Sequence, residues 1–514
     1  MARPRPLPAP VTTLRRALLV SSIATPPDLG PIRPMATGGK YAVFDCGDQR
    51  EERRGAGHCP ALDTVVAGRA RRVACPGALP IFAARFAEIP RRKAARMDIF
   101  EPCFTFQDAE LIKAAGIYPF FHTLSSSEGP VVTVKGRQVI MLGSNNYLGL
   151  THHPEVLRSA HQAIDKYGTS CTGSRLLNGN LDLHEQLERE LAEFTHKEAA
   201  VVFSTGFLAN MGSVGLLAKS ADCVIFSHAE NHASLIEGTR IARGAVCVFE
   251  DLDDLERKLS RRDKWENALV VTDAVFSMTG RVTDLKRLCE LRRRYGFRLY
   301  VDDAHGIGVL GPQGRGTAAA QGVEAEVDLL FGTFSKSFAS LGGFVAGEAR
   351  VIDYLKHKAR TLVFSAALPP ASAAAALAAL GVMKRDELLF ERLWDNVAYF
   401  REGLAQIGYY TMGSRTPILP LFVGSESLAF RLCREALDRG VFTTPVVHPA
   451  VPLGQALIRT SIMPAHERSH LDKALEVFAG LVERYPVPMG LDGQRLPTAD
   501  SMDFTYLQPD AVGG

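Results

Sequence analysis

Residues 327–343 read VDLLFGTFSKSFASLGG. The run VDLLF has the length and apolar character of a strand buried on both faces. It breaks at Gly332 into a loop of hydroxyl residues and glycines with a single lysine, Lys336, at its centre. An ordinary surface lysine needs no such setting. A lysine that must lose its proton, approach a bound group closely and swing away again does.

The same rhythm extends outward in both directions. AAVVF (199–203), CVIFS (223–227), ALVVTDAVF (268–276) and RLYVDD (298–303) are short apolar runs, each followed by a polar loop. Amphipathic stretches lie before and between them, as in HPEVLRSAHQAIDKYG (153–168), DLHEQLERELAEFTH (182–196) and FLANMGSVGLLAK (207–219). Strands alternating with helices predict an α/β domain with a largely parallel central sheet, and ligands of such sheets bind at the carboxyl ends of the strands. Upstream, QDAELIKAAGIYPFF (107–121) has helical spacing, and VVTVKGRQVIML (131–142) reads as a hairpin with a Lys-Gly turn. Downstream, ALPPASAAAALAAL (367–380) starts a long helix expected to link domains. Beyond it, ILPLFVG and ALIRTSI read as strands, LAFRLCREALDRG and HLDKALEVFAGLVERY as helices.

The expected organisation is a large domain over 151–385, preceded by a segment at 97–150, and a smaller α+β domain over 386–485. A polar tail follows at 486–514. Residues 1–96 are rich in Arg, Pro, Ala and Gly without sustained period. They are expected to be a disordered extension or the product of a start placed too early, with Met97 as the functional start.

The 514 residues are 46% apolar and 22% charged, an ordinary globular composition. The net charge of +3 hides an asymmetry: residues 1–96 carry 17 Lys/Arg against 7 Asp/Glu, and the remainder 42 against 49. The mildly acidic body carries no nucleic-acid footprint. Nine scattered cysteines show no metal or disulfide spacing and read as reduced thiols of a cytoplasmic protein. No apolar run is long enough to span a bilayer.

Four features fall at the ends of the apolar runs. STGF (204–207) is a glycine turn opening a helix, a setting that suits phosphate. NHAS (231–234) places His232 among small residues, where alone it reads as a structural histidine. VDDAHGIGVLG (301–311) puts Asp302 and His305 three apart at a strand end; with no third ligand spaced to help, a metal is discounted. Lys336 is the fourth. A phosphate cradle, a ring that can stack, a carboxylate for a pyridinium nitrogen and a Schiff-base lysine are together what pyridoxal 5'-phosphate requires.

The chain from Phe104 to Tyr485 resembles the α-oxoamine synthases of the fold-type I pyridoxal-phosphate enzymes. The resemblance is carried by GSNNYLGL (143–150), GSRLLNG (173–179), VFSTGF (202–207), NHAS (231–234), VFSM (275–278), VDDAHGIGVLG (301–311), TFSKSFASLGGF (333–344) and IRTS (458–461). It implies a fold-type I PLP-dependent transferase that condenses an amino acid with an acyl-CoA and releases CO2 and CoA. GSRLLNG, FSAALPPAS and PVVHPAVP point to the branch that uses L-serine and a long-chain acyl-CoA. Ser170, where the family commonly has Gly, and His448 depart from its pattern.

The resemblance further implies roles residue by residue. Lys336 is the Schiff-base lysine and moves the Cα proton, His232 stacks on the ring, and Asp302 pairs with the ring nitrogen. His305 and Ser277 lie near the phenolic oxygen or the ring. Gly206, Phe207, Thr333 and Ser335 surround the phosphate, and Ser365 reaches the phosphate of a neighbouring subunit in a homodimer with shared active sites. Asn146, Ser174 and Arg459 lie near the amino acid and its carboxylate. Another synthase of the family, using glycine or alanine, is the alternative. A non-catalytic partner subunit is disfavoured by the presence of Lys336, His232 and Asp302. The lipidic substrate leaves peripheral contact with the inner membrane open.

Overall fold

The computed structural model describes residues 98–126, 129–220, 222–261, 266–485 and 487. The expectations for residues 1–96, for a start at Met97 and, apart from residue 487, for the tail lie outside these residues.

Thirteen strands occur among the described residues. In chain order they are β1 (Val131–Val134), β2 (Arg137–Met141), β3 (Ala199–Phe203), β4 (Cys223–His228), β5 (Ala245–Phe249), β6 (Asn267–Asp273) and β7 (Arg298–Asp302). There follow β8 (Leu329–Thr333), β9 (Gly343–Gly347), β10 (Ile418–Gly424), β11 (Val441–Phe442), β12 (Thr444–Val446) and β13 (Ala456–Ser461).

Seven strands form the central sheet in the order β3-β9-β8-β7-β6-β4-β5. The run from β8 to β5 is parallel throughout, while β9 is antiparallel to both of its neighbours. Strands β4 and β8 are buried along their whole length, and β6 at all but its first residue, as helices on both faces require. This is the α/β architecture with a mostly parallel sheet that the sequence predicts.

Two strands of this sheet escaped the reading of the sequence. β5 is an edge strand, exposed at most of its positions, so AVCVF carries no buried-strand signature. β9 begins and ends on glycine. A Cβ on Gly343 would stand 2.7 Å from Cα of Gly206 and 3.0 Å from the carbonyl oxygen of Gly332, so close backbone approach dictates the residue there.

The Lys-Gly hairpin forms as expected. Lys135 and Gly136 both have positive φ, 49° and 76°, the signature of a two-residue turn whose twist matches that of its strands. It does not stand apart as an N-terminal segment, however: β2 pairs in parallel with β11, so residues of the 97–150 stretch share a sheet with the C-terminal part of the chain. Strands β10, β13 and β12 form a third sheet, with Pro420 opposite Arg459.

The Pro-Pro stretch opens the helix Pro370–Arg385, which packs on Pro154–Tyr167 and Asp182–Phe194 instead of bridging open space. Its alanines 373, 374, 375, 376, 378 and 379 are buried, and small side chains let helices approach closely. Asp386 then caps the separate helix Glu387–Ile407, accepting from the Leu389 amide at 3.2 Å. Among the described residues no helix is long and apolar enough to cross a membrane.

Candidate active site

The carboxyl ends of β3, β4, β6, β7 and β8 lie along one edge of the sheet, and the loops that leave them wall a cavity of about 250 Å3. Nine of the residues singled out from the sequence line it: Gly206, Phe207, His232, Ser277, Asp302, His305, Thr333, Ser335 and Lys336. They come from five separate stretches of chain, brought together because each stretch ends a strand at the same edge.

At one end of the cavity the helix Gly206–Leu217 begins. Its cap, Thr205, accepts from the Leu208 amide at 3.2 Å. A Cβ on Gly206 would meet the Thr333 hydroxyl at 2.9 Å and Phe331 Cζ at 3.1 Å, so only glycine lets the helix start so near the hydroxyls. Thr333 Oγ1 lies 2.9 Å from Ser335 Oγ. A helix N-terminus facing two hydroxyls is a donor set for a phosphate.

Lys336 is half-buried in the cavity wall. Loss of solvent around the ammonium brings its pKa down to about 8, with Asp302 and Asp273 resisting and Arg459 adding to the fall. A substantial fraction is therefore neutral near physiological pH, the form that attacks a carbonyl.

Asp302 is buried at the end of β7. Asn210 Nδ2 donates to its Oδ2 at 2.6 Å and the Ala304 amide to its Oδ1 at 3.0 Å. Burial raises its pKa, while Lys336 and these donors pull the other way. His232 caps the helix Ala233–Ile241 and accepts the Ser234 amide on Nδ1 at 3.3 Å. Its ring stands edge-on to Phe207, centroids 6.5 Å apart. Burial, with Lys336 nearby, holds the imidazole pKa below its usual value against the pull of Asp302. His305 is held well below its usual value, first by burial and then by Lys336 and Arg459.

The other four residues lie outside this cavity. Asn146 lines an adjoining open groove of about 590 Å3, which shares Ser335, Lys336 and Leu341 with the cavity. Arg459 is buried behind the wall with its guanidinium already engaged. It donates to the Ser277 carbonyl at 2.7 Å, Ser461 Oγ at 3.0 Å, Asn145 Oδ1 at 2.8 Å and the Tyr147 hydroxyl at 2.9 Å. Ser174 is buried in the loop 173–179, its hydroxyl without a hydrogen-bond partner among the described residues. Ser365 is half-buried past the helix Arg360–Val363, beside the exposed Phe364. Neither Ser170 nor His448 lines the cavity or the groove.

Sequence reasoning also missed residues that the fold brings in. Asn210, Ser234 and Asp273 line the cavity, and Tyr147 stands behind it against His305. Asp273 sits inside ALVVTDAVF, where it reads as an interruption in a longer apolar run; the strand in fact ends on it. Nothing in the spacing of Asn210 or Tyr147 marks either one.

The residues present fit pyridoxal phosphate. A phosphate-sized donor set lies at one end, a lysine of lowered pKa in the wall, and a buried carboxylate opposite a histidine ring between them. Among the described residues no cluster of three or more potential metal ligands occurs.

Comparison with known proteins gives the same answer. The profile of the family described as aminotransferase class I and II matches residues 137–478. The chain is 46% identical to a serine palmitoyltransferase of Bacteriovorax stolpii over 392 residues, 74% of this chain and 93% of that one. It is 41% identical to an 8-amino-7-oxononanoate synthase of Thermoanaerobacter pseudethanolicus over 378 residues, covering 73% and 95%. A solved serine palmitoyltransferase carrying pyridoxal phosphate superposes with a TM-score of 0.73 at 30% identity, covering 76% of this chain and 99% of that one.

Proposed function

The chain belongs to the aminotransferase class I and II family, and we propose that within it the protein is a serine palmitoyltransferase: it condenses L-serine with a long-chain acyl-CoA and releases 3-oxosphinganine, CoA and CO2. The cofactor is pyridoxal phosphate, and the chain is an acyltransferase of the α-oxoamine synthase type. The observation that carries the finer reading is its higher identity to the Bacteriovorax enzyme than to the oxononanoate synthase, across nearly the whole of each.

Pyridoxal phosphate, when bound, supplies an electron-accepting ring that stabilises negative charge at the amino-acid Cα. The chain supplies the rest. The start of helix Gly206–Leu217, with Thr333 and Ser335, holds the phosphate. Asp302, fixed by Asn210 and the Ala304 amide, presents a negative charge to the ring nitrogen. His232 would pack against the ring face, and Ser277 and His305, which line the same cavity, would lie near its phenolic oxygen or ring.

Lys336, neutral in substantial part because its pKa falls to about 8, would be the residue that holds the cofactor through its carbonyl carbon, with loss of water, and would take and return the Cα proton of serine. Asn146, on the adjoining groove that reaches Lys336, orients the incoming substrate. Arg459 engages the serine carboxylate only by exchanging one of its present acceptors, Asn145 or Tyr147. Ser365 would reach the phosphate of the partner's site across the interface of a homodimer, and Ser174 would lie near the amino acid.

The oxononanoate synthase likeness favours one competing reading, in which alanine replaces serine. The test loads the full chain with pyridoxal phosphate and titrates serine, glycine and alanine while following the cofactor absorbance. Palmitoyl-CoA is then added and CoA release recorded. Serine-selective spectral change with CoA release supports the proposal. Turnover of alanine or glycine without serine keeps the family and overturns the substrate.

A further inference from the structure

Asp273 ends β6 and Asp302 ends β7, and the two are register partners on adjacent parallel strands. Their carboxyl groups therefore rise side by side at the same sheet edge. Both are buried, and both line the cofactor cavity.

Their surroundings differ. Asp302 has a donor on each oxygen, Asn210 Nδ2 and the Ala304 amide. Asp273 receives only the His232 amide, on Oδ2 at 3.2 Å, and its Oδ1 has no partner among the described residues. Its position is fixed by its backbone: the amide donates to Asn231 Oδ1 at 3.0 Å and the carbonyl accepts from Thr283 Oγ1 at 2.7 Å.

Two neighbouring buried carboxyls do not both ionise readily, and the one with more donors keeps the charge. We propose that Asp273 is the protonated member of this pair, holding its proton on the cavity side and donating it as a hydrogen bond to an acceptor of the bound cofactor, while Asp302 alone carries the negative charge. A buried Oδ1 without a partner among the described residues, on a residue that lines the cavity, is what such a donor looks like from the protein's side.

The charged and titratable groups facing Asp273 agree with this reading. Burial comes first, and with Asp302 alongside and Glu230 in the turn before His232 it pushes the Asp273 pKa well above the carboxylate range. The His232 amide and Lys336, from the loop after β8, pull the other way. No ion pair reaches Asp273 among the described residues. A single charge at the sheet edge also leaves Lys336 free to stay near its lowered value.

The test uses the full-length holoenzyme and its Asp273→Asn and Asp273→Ala variants. Asn has the shape of a protonated Asp and can still donate. The expected results are a protonated-carboxyl band in the wild-type-minus-D273N infrared difference spectrum at neutral pH, with cofactor affinity and the pH midpoint of the cofactor absorbance unchanged in that variant. D273A should lose about ten-fold in cofactor affinity, the equivalent of one unmade hydrogen bond. A missing band together with a lowered midpoint in D273N would show a charged Asp273 and overturn the proposal. So would wild-type cofactor affinity in D273A. Neither readout depends on which amino acid is turned over, so failure here is separate from failure of the serine reading.

Discussion

The hydroxyl of Tyr147 lies 2.7 Å from Nδ1 of His305, and it also accepts a hydrogen bond from Arg459 Nη2 at 2.9 Å. Tyr147 and His305 are 158 positions apart in the chain, and both are buried. The contact sets the imidazole orientation from behind the cavity wall and couples it to the guanidinium proposed to meet the substrate carboxylate.

Tyr147→Phe removes that link while keeping the packing of the ring. The expected result is a fall of about ten-fold in kcat, one buried hydrogen bond lost, with little change in cofactor affinity. Steady-state kinetics beside a cofactor titration separates the two. An unchanged kcat would show that His305 holds its position without Tyr147.

Arg459 gives a prediction about stability as well as activity. Its guanidinium bridges Ser277, Ser461, Asn145 and Tyr147, so Arg459→Leu should destabilise the fold by about 2–4 kcal/mol, through buried acceptors left unmade. Denaturant unfolding of the cofactor-free protein measures this without reference to turnover. If Arg459 served only the substrate carboxylate, the cofactor-free stability would not change.

Lys336 sets a pH dependence for cofactor capture. Only the neutral amine attacks the cofactor carbonyl, and the lowered pKa places half-neutralisation at about 8 instead of 10.5. The rate of absorbance change on mixing cofactor-free protein with pyridoxal phosphate should therefore rise with pH and level off above about 8. A rate still climbing steeply toward 10.5 would mean that burial does not depress this amine.

Asp303 predicts the opposite trend for stability. Its carboxyl is fully buried and accepts from the Thr317 amide and hydroxyl, each at 2.6 Å. Burial nonetheless pushes its pKa up to about 7 from 3.8. The folded chain thus binds more protons than the unfolded chain between these values. The stability from this group is complete below 3.8 and is lost as pH rises through about 7. Asp303→Asn mimics the protonated acid, so relative to the wild type it should gain stability across that window as pH increases. Paired urea unfolding curves on either side of the window check this, and parallel pH profiles would contradict it.

Much of this site was legible in the sequence because its parts are local. A glycine turn after AAVVF, a histidine after CVIFS, an aspartate after RLYV and a lysine after VDLLF each follow a buried strand within a few residues. Chain connectivity alone places such residues at the carboxyl edge of a parallel sheet. The Lys135-Gly136 turn and the helix beginning at Pro370 were likewise local, set by backbone preferences that no distant contact needs to enforce.

What the tertiary structure decided is which side chains face one another across long stretches of chain. The sequence placed Asp273 on a strand without indicating that β7 would set Asp302 beside it. It marked Arg459 by type, yet the four acceptors that occupy its guanidinium come from its own strand and from two distant segments, the 145–147 stretch and the loop at Ser277. It separated the hairpin of β1 and β2 from the C-terminal part of the chain, and pairing with β11 joined them. Periodicity and motif spacing describe a residue's own neighbourhood. The partners of a buried polar group are chosen by packing, which brings distant strands to one edge and makes each donor find whatever acceptor lies there.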